Sequence, residues 1–229
     1  MVNFFNIDCM EFMKSKPDKC YDLAIVDPPY GIGMDSTHFK TKSSNAKPTD
    51  YGKKDWDNAI PNKEYFNELL RVSKHQIVWG GNYFVENLTN SSCWVVWDKD
   101  NGDSIHADCE LAWTSFKTAV KKVKWLWHGM RQQNVKNKEK RIHPTQKPIA
   151  LYRWLLHNYA KPNDKILDTH GGSMSIAIAC DMEGFDLDIC EIDKDYFNAG
   201  VKRFENYKHQ GVLFAPEQIK PEQTILKLN

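Results

Sequence analysis

No stretch of the chain reaches the ~18 consecutive apolar residues that a membrane-spanning helix needs. Its start, MVNFFNIDCMEFMKSKPDKC, has no basic flank leading into an apolar run, so a secretory signal is not expected. The six cysteines, Cys9, Cys20, Cys93, Cys109, Cys180 and Cys190, form no CxxC pair and have no histidine at ligand spacing. That pattern argues against both a disulfide frame and a zinc site, and it fits a reducing cytoplasm. There is no GxxxxGK followed by Ser or Thr, which disfavours P-loop handling of nucleotide phosphates. No internal repeat is present, and the formal net charge is only +1. What remains is the expectation of a soluble, metal-free, cytoplasmic protein. Its 229 residues, 41% of them hydrophobic, are enough to bury one core, so a single domain over residues 1–229 is expected.

The charge that is there is unevenly spread. Residues 117–147 hold ten Lys or Arg and one acid, Glu139, an excess of nine, with Trp125, Trp127 and His128 in the middle. A solvated surface loop is one reading of such a run, and a phosphate-contacting segment with aromatics near bases is the other.

Apolar β-rich runs alternate with stretches of helical periodicity. The strand candidates are VNFFNI, DLAIVD, HQIVWG, CWVVWD, CELAWTSF, DKILDT and FDLDICEI. Between them, NKEYFNELLRVSK, PIALYRWLLHNYA, SMSIAIACDMEGF and DKDYFNAGVKRFENYK carry apolar residues three and four apart. The mixture predicts an α/β fold, an open and mostly parallel sheet with helices on both faces. Two segments fit neither pattern: a polar loop at 31–61, with His38, Trp56 and Asp57, and the basic insert at about 117–142.

Ligands of open α/β sheets sit at the carboxyl ends of strands. In ILDTHGGSMSIAIAC a strand runs into Asp168, a Gly171-Gly172 turn and a helix start. Glycine allows close backbone approach, and the helix start offers free N–H groups. DLDICEID then ends a strand with Glu191 and Asp193, acids suited to ribose hydroxyls, and together these predict a nucleoside-containing cofactor. In DLAIVDPPYGIG a strand ends on Asp27, Pro28, Pro29 and Tyr30. The exocyclic amino group of adenine or cytosine is a poor nucleophile, because its lone pair is delocalised into the ring. A carboxylate from Asp27 and a carbonyl from Pro28, accepting both amino hydrogens, would localise that pair. The prolines deny the turn its own donors, so these acceptors are expected to stay free, while Tyr30 offers a face for an unstacked base.

With NIDCMEFM, HQIVWGGNYF, HPTQKPIALYRWLL and DICEIDKDYF in order around these two motifs, the chain resembles the amino-group DNA methyltransferases of the permuted, or beta, arrangement, of bacterial or phage type. The resemblance implies a Rossmann-like, S-adenosylmethionine-dependent sheet with an antiparallel edge strand and circularly permuted motif order. It implies that Asp27, Pro28, Pro29 and Tyr30 form the catalytic turn. It also implies a cofactor pocket made by Asp8, Asp27, His143, Thr145, Lys147, Asp168, Gly171, Gly172, Ser173, Glu191 and Asp193, with His143, Thr145 and Lys147 helping to close it and meet the cofactor's carboxylate. The target-recognition segment would be the basic insert, with Lys121, Lys122, Lys124, Arg131, Lys138, Lys140 and Arg141 on DNA. A short recognition sequence or a homodimer sharing the duplex is expected, and the loop after Tyr30 is expected to order over the target base. Met174 stands where the family usually has a third glycine, and His170 replaces its common phenylalanine. The implied reaction is methyl transfer to the N6 amino group of adenine. N4-cytosine methylation, transfer to a protein glutamine or RNA base, and a catalytically weak DNA-binding decoy are the alternatives.

Overall fold

The computed structural model describes residues 1–34, 54, 56–102, 107–128 and 131–209. Among the described residues, ten strands and five α-helices follow one another as β1 (Val2–Phe5), α1 (Cys9–Lys14), β2 (Tyr21–Val26), α2 (Lys63–Val72), β3 (Ser73–Trp79), β4 (Trp94–Asp98), β5 (Cys109–Thr114), β6 (Lys121–Lys124), β7 (Trp127–His128), β8 (Arg131–Gln132), α3 (Ile149–Tyr159), β9 (Lys165–Asp168), α4 (Ser175–Glu183), β10 (Asp186–Cys190) and α5 (Lys194–His209). Eight strands form one sheet in the order β1-β10-β9-β2-β3-β5-β4-β6, and β7 pairs with β8 as a separate hairpin.

Only β5 runs against the others. It is antiparallel to both β3 and β4, whereas β4 pairs in parallel with β6. The reversed strand therefore lies inside the sheet rather than at the expected edge, and the edges are β1 and β6. This has a consequence for chemistry. The carboxyl ends of the seven parallel strands share one edge, and the reversed strand brings its amino end, Cys109 and Glu110, to that same edge.

Successive residues of a strand face opposite sides of a sheet. In β2, Leu23 and Ile25 pack on one face with α3 and α4, while Ala24 and Val26 pack on the other with Phe12, Tyr65 and Phe66 of α1 and α2. Both faces are covered, which is why the central strands read as unbroken apolar runs. Two elements went unread in the sequence. CMEFMK forms the short helix α1, capped by the Asp8 carboxylate, and the basic insert supplies β6, β7 and β8. Among the described residues no helix is long and apolar enough to cross a membrane, and no group of three or more His, Cys, Asp or Glu is disposed to hold a metal ion.

Away from the carboxyl edge, one buried acid ties four strands together. Asp188 of β10 accepts from Asn3 Nδ2 of β1 at 2.8 Å and Tyr21 Oη of β2 at 2.7 Å, and pairs with Lys165 Nζ of β9 at 3.0 Å. Burial opposes its charge, but these three donors hold its carboxyl below the ordinary range. Its contribution to stability is therefore complete above the unfolded carboxylate value and is lost as pH falls through the depressed folded value. Asp188→Ala is expected to cost about 2–3 kcal/mol at neutral pH, with the deficit narrowing in acid, read by denaturant unfolding at two pH values.

Candidate functional site

Asp27 leaves β2 at the carboxyl edge and meets Lys147 from the segment before α3. Tyr30 Oη donates to Asp27 Oδ1 at 2.6 Å, and Lys147 Nζ donates to Oδ2 at 2.5 Å. Lys147 is only 3% exposed, and its ammonium also faces Glu110 Oε2 at 3.2 Å. Glu110 in turn takes Lys99 Nζ on its other oxygen at 2.6 Å. Four charges of alternating sign, Lys99, Glu110, Lys147 and Asp27, thus run in line and sum to zero. A buried charge survives only when paired in this way. Burial pushes the Asp27 carboxyl above the ordinary carboxylate range, with the Lys147 ammonium pulling the other way. Burial likewise opposes charge on Lys147 and Glu110, but the flanking carboxylates hold Lys147 protonated and the flanking ammoniums hold Glu110 ionised.

Two expectations are corrected here. The acceptors of Asp27 are not left open, since each oxygen already holds one donor; a carboxylate oxygen has capacity for a second. Lys147 does not stand apart awaiting a cofactor carboxylate, because its partners are Asp27 and Glu110.

The turn itself is clamped from two sides. The Asp57 carboxylate accepts the backbone N–H groups of Tyr30 at 2.7 Å, Gly31 at 2.8 Å and Met34 at 2.8 Å. Asp57, expected in a loop closing over a base, is instead 1% exposed and fixes the exit of the turn. On the other side, Tyr30 lies against Gly80, where an added Cβ would sit 2.2 Å from the ring. Gly80 has φ +70°, so glycine is required for backbone and space alike. Tyr83 stacks on Tyr30 at 5.0 Å and 17° and is 43% exposed, an open aromatic face beside Asp27.

Next to the turn, β9 and β10 deliver the second half of the site. Asp168 is buried, takes the His170 N–H at 3.0 Å, and is pushed up to about 8 by burial. Gly171 N–H donates to Cys190 O at 2.7 Å, while Glu191 accepts Gly172 N–H at 2.7 Å and Asp193 N–H at 2.8 Å, one on each oxygen. Glu191 thereby locks the glycine turn to the exit of β10. His143 covers Gly172, whose Cβ would lie 3.7 Å from the ring, and Thr145 Oγ1 is 3.1 Å from His143 Nδ1. Burial lowers His143 to about 3, so it is neutral. Trp56 and Tyr196 pack on the same imidazole at 5.0 and 4.3 Å. Lys54 Nζ reaches Asp193 and Asp195 at 2.8 Å each. Asp8 stands at the edge of this half and uses Oδ1 to cap α1, accepting from Met10 N–H at 2.7 Å and Glu11 N–H at 3.2 Å.

Met174 resolves the oddity of the glycine turn. It adopts φ +57°, the left-handed conformation that a third glycine would take freely, directly before α4. Its side chain is fully buried and fills space left by two glycines: a Cβ at Gly171 would meet its Sδ at 2.7 Å, and one at Gly200 would meet its Cγ at 2.3 Å. The backbone turn is thus kept, and the missing glycine is compensated elsewhere. Ser173, beside it, places Oγ 3.1 Å from Ser175 Oγ and gives its carbonyl to Arg203.

The basic insert is more ordered and less uniformly charged than its sequence implies. Lys122 and Lys124 of β6 face Asp98 at 3.5 Å and Asp100 at 3.0 Å. Arg141 lies over the Trp127 ring at 4.7 Å and is half-buried. Lys121, Arg131, Lys138 and Lys140 are exposed. The β7–β8 hairpin sits beside the HPTQKP segment, with Trp127 Nε1 donating to Gln146 O at 2.7 Å. Glu139, the lone acid, points inward to Arg203 at 2.7 Å, and Arg203 also holds the Ser173 carbonyl at 2.6 Å. His38 and most of the polar loop, residues 35–53 and 55, lie outside the described residues.

Met174 weighs two terms against each other. Relief of left-handed strain is worth about 1–2 kcal/mol, but emptying a buried methionine site costs about 2–5 kcal/mol. Met174→Gly is therefore expected to lower the melting temperature despite restoring glycine to the turn, as thermal unfolding would show.

Residues 97–202 match the family model described as DNA methylase, N6_N4_Mtase. M.HinfI, a type II methyltransferase of Haemophilus influenzae, is 24% identical over 269 residues that cover 96% of this chain and 73% of that protein. Among solved structures, the M1.HpyAVI–SAM complex superposes with a TM-score of 0.55 at 21% identity, over 89% of this chain and 100% of that one. The cytosine-N4-specific PvuII DNA methyltransferase gives 0.57 at 13% identity, over 89% and 86%. The family match runs from the end of β4 into α5, a little under half of the chain, and these solved structures share its fold.

Proposed function

We propose that the chain transfers a methyl group from S-adenosylmethionine to the N6 amino group of adenine in DNA, acting on an unstacked base and built in the permuted arrangement. The observation that carries the reading is the Asp27 carboxylate standing at the end of β2 between Tyr30 Oη and Lys147 Nζ, on the strand next to the β9 that leads into the glycine half-site.

The residues suit the cofactor. Asp168, buried beside the Gly171-Gly172 turn and raised to about 8, is a place that favours a cation. Glu191 and Asp193 supply acids at the exit of β10, and His143, Trp56 and Tyr196 supply an apolar wall. Asp168, Gly172, Glu191 and Asp193 would hold the group, and when bound it supplies an electrophilic methyl. The protein's part is orientation and polarisation. Asp27 takes one amino hydrogen on its spare acceptor capacity and the Pro28 carbonyl takes the other, which returns the nitrogen lone pair to the reacting face. Tyr30 and Tyr83 offer the stacking surface. The raised proton affinity of Asp27 suits it to receive the proton that the methylated nitrogen releases.

N4-cytosine methylation is the second reading, favoured by the likeness to the PvuII enzyme, since the same pair of acceptors serves either amino group. Expression in a host lacking adenine methylation, followed by modification-sensitive sequencing, tests both. N6-methyladenine in a fixed short context, absent with Asp27→Asn, is expected; N4-methylcytosine would favour the second reading, and transfer retained by Asp27→Asn would remove Asp27 from the chemistry.

For DNA contact we favour Arg131, Lys138 and Lys140 over Lys122 and Lys124, whose charges Asp98 and Asp100 offset. Replacing those three with Gln should weaken DNA binding and flatten its log–log salt slope by about two to three, since each phosphate contact contributes about 0.9. An unchanged slope would exclude them as phosphate ligands.

A further inference from the structure

Glu110 belongs to neither half-site, and methyl transfer as described above does not use it. It is nevertheless placed where it bears on Asp27. As the second residue of the reversed strand β5 it arrives at the carboxyl edge from the opposite direction to the other site residues, and it stands between two ammonium groups, Lys99 at 2.6 Å and Lys147 at 3.2 Å. Lys147 is almost wholly buried, and Asp27 and Glu110 are the two carboxylates its ammonium pairs with. The attraction it exerts on Asp27 is therefore shared.

We propose that Glu110 is a positioning residue of the methyl-transfer site, which divides the pull of Lys147 and thereby sets how strongly Asp27 holds a proton when the amino group arrives. The inference rests on the reading of Asp27 as the amino-group acceptor. In a row of alternating charges, neutralising one member acts on the far end with a sign that alternates along the row. Without Glu110, Lys147 serves Asp27 alone and the carboxyl becomes a weaker proton acceptor. Without Lys99, the charge of Glu110 is less offset and Asp27 becomes a stronger one. The other groups facing Asp27, namely Tyr30 on its own turn, Tyr65 of α2, Tyr152 of α3 and Asp168 of β9, are the same in both cases.

The test is carboxyl-carbon NMR titration of Asp27 in the free full-length protein, the signal being assigned by its loss in Asp27→Asn. Glu110→Gln, an isosteric change, should move the midpoint down, and Lys99→Met, which removes the charge at similar side-chain length, should move it up, each by about one pH unit. The acid limb of kcat/KM for methyl transfer should follow in the same two directions. Midpoints that stay in place, or that move the same way in both variants, would overturn the proposal, even if both variants lose turnover or melting temperature as a purely structural role would require. Opposite shifts without any methyl transfer by the unaltered protein would support the charge-setting role of Glu110 and count against the assigned reaction instead.

Discussion

The ion pair between Asp27 and Lys147 is the contact on which the rest of the site depends. It joins residues 120 positions apart in sequence, one at the end of β2 and one before α3, and it does so in a place nearly closed to water. Breaking such a pair on one side strands a charge, which is far more costly than never having buried it. The pair therefore demands its neighbours. Tyr30 Oη takes the remaining face of Asp27, Glu110 takes the remaining face of Lys147, and Lys99 neutralises Glu110. The Tyr30 position in turn requires that Gly80 carry no side chain and that Asp57 gather the N–H groups beyond the turn.

The two halves of the site are tied by backbone and by long contacts. Glu191 fixes the glycine turn to β10, and His143 covers Gly172 while lying four residues before Lys147. A second line runs through the basic insert: Glu139 holds Arg203, which holds the Ser173 carbonyl at the glycine turn. The segment with the strongest positive charge thus reaches the glycine half-site through its one acid. The buried carboxylate of Asp27 and the Gly171-Gly172 turn thus share the carboxyl edge, and the basic insert is tied to the turn through Arg203.

Much of this was legible in the sequence, because strand ends in a parallel sheet announce themselves. DLAIVD, DKILDT and FDLDICEI are apolar runs closing on acids, and the acids at or just beyond their ends, Asp27, Asp168 and Glu191, are at the site. What could not be read follows from geometry that local pattern does not encode. Glu110 begins a strand instead of ending one, and only the reversal of β5 brings it to the edge. Lys147 looked like a residue waiting for a ligand because nothing in HPTQKP reveals that its partners lie on β5 and after β2. Asp57 sits in a polar stretch indistinguishable from a loop, and its three backbone partners are 23 to 27 residues away. Met174 broke a glycine pattern, and the compensation lay partly at Gly200, far along the chain. The basic insert hid short strands because the lysines on either side mask the one inward residue of β6, Val123.

The central claim is that Asp27 and Lys147 are energetically one unit. A double-mutant cycle measures this directly, using denaturant unfolding of the unaltered chain, Asp27→Asn, Lys147→Met and the two combined. The two single changes should together cost more than the double, giving a coupling of about 2 kcal/mol or more, because either change alone leaves the buried row of charges unbalanced. Additivity within about 0.5 kcal/mol would contradict the account and would make the contact incidental to the site.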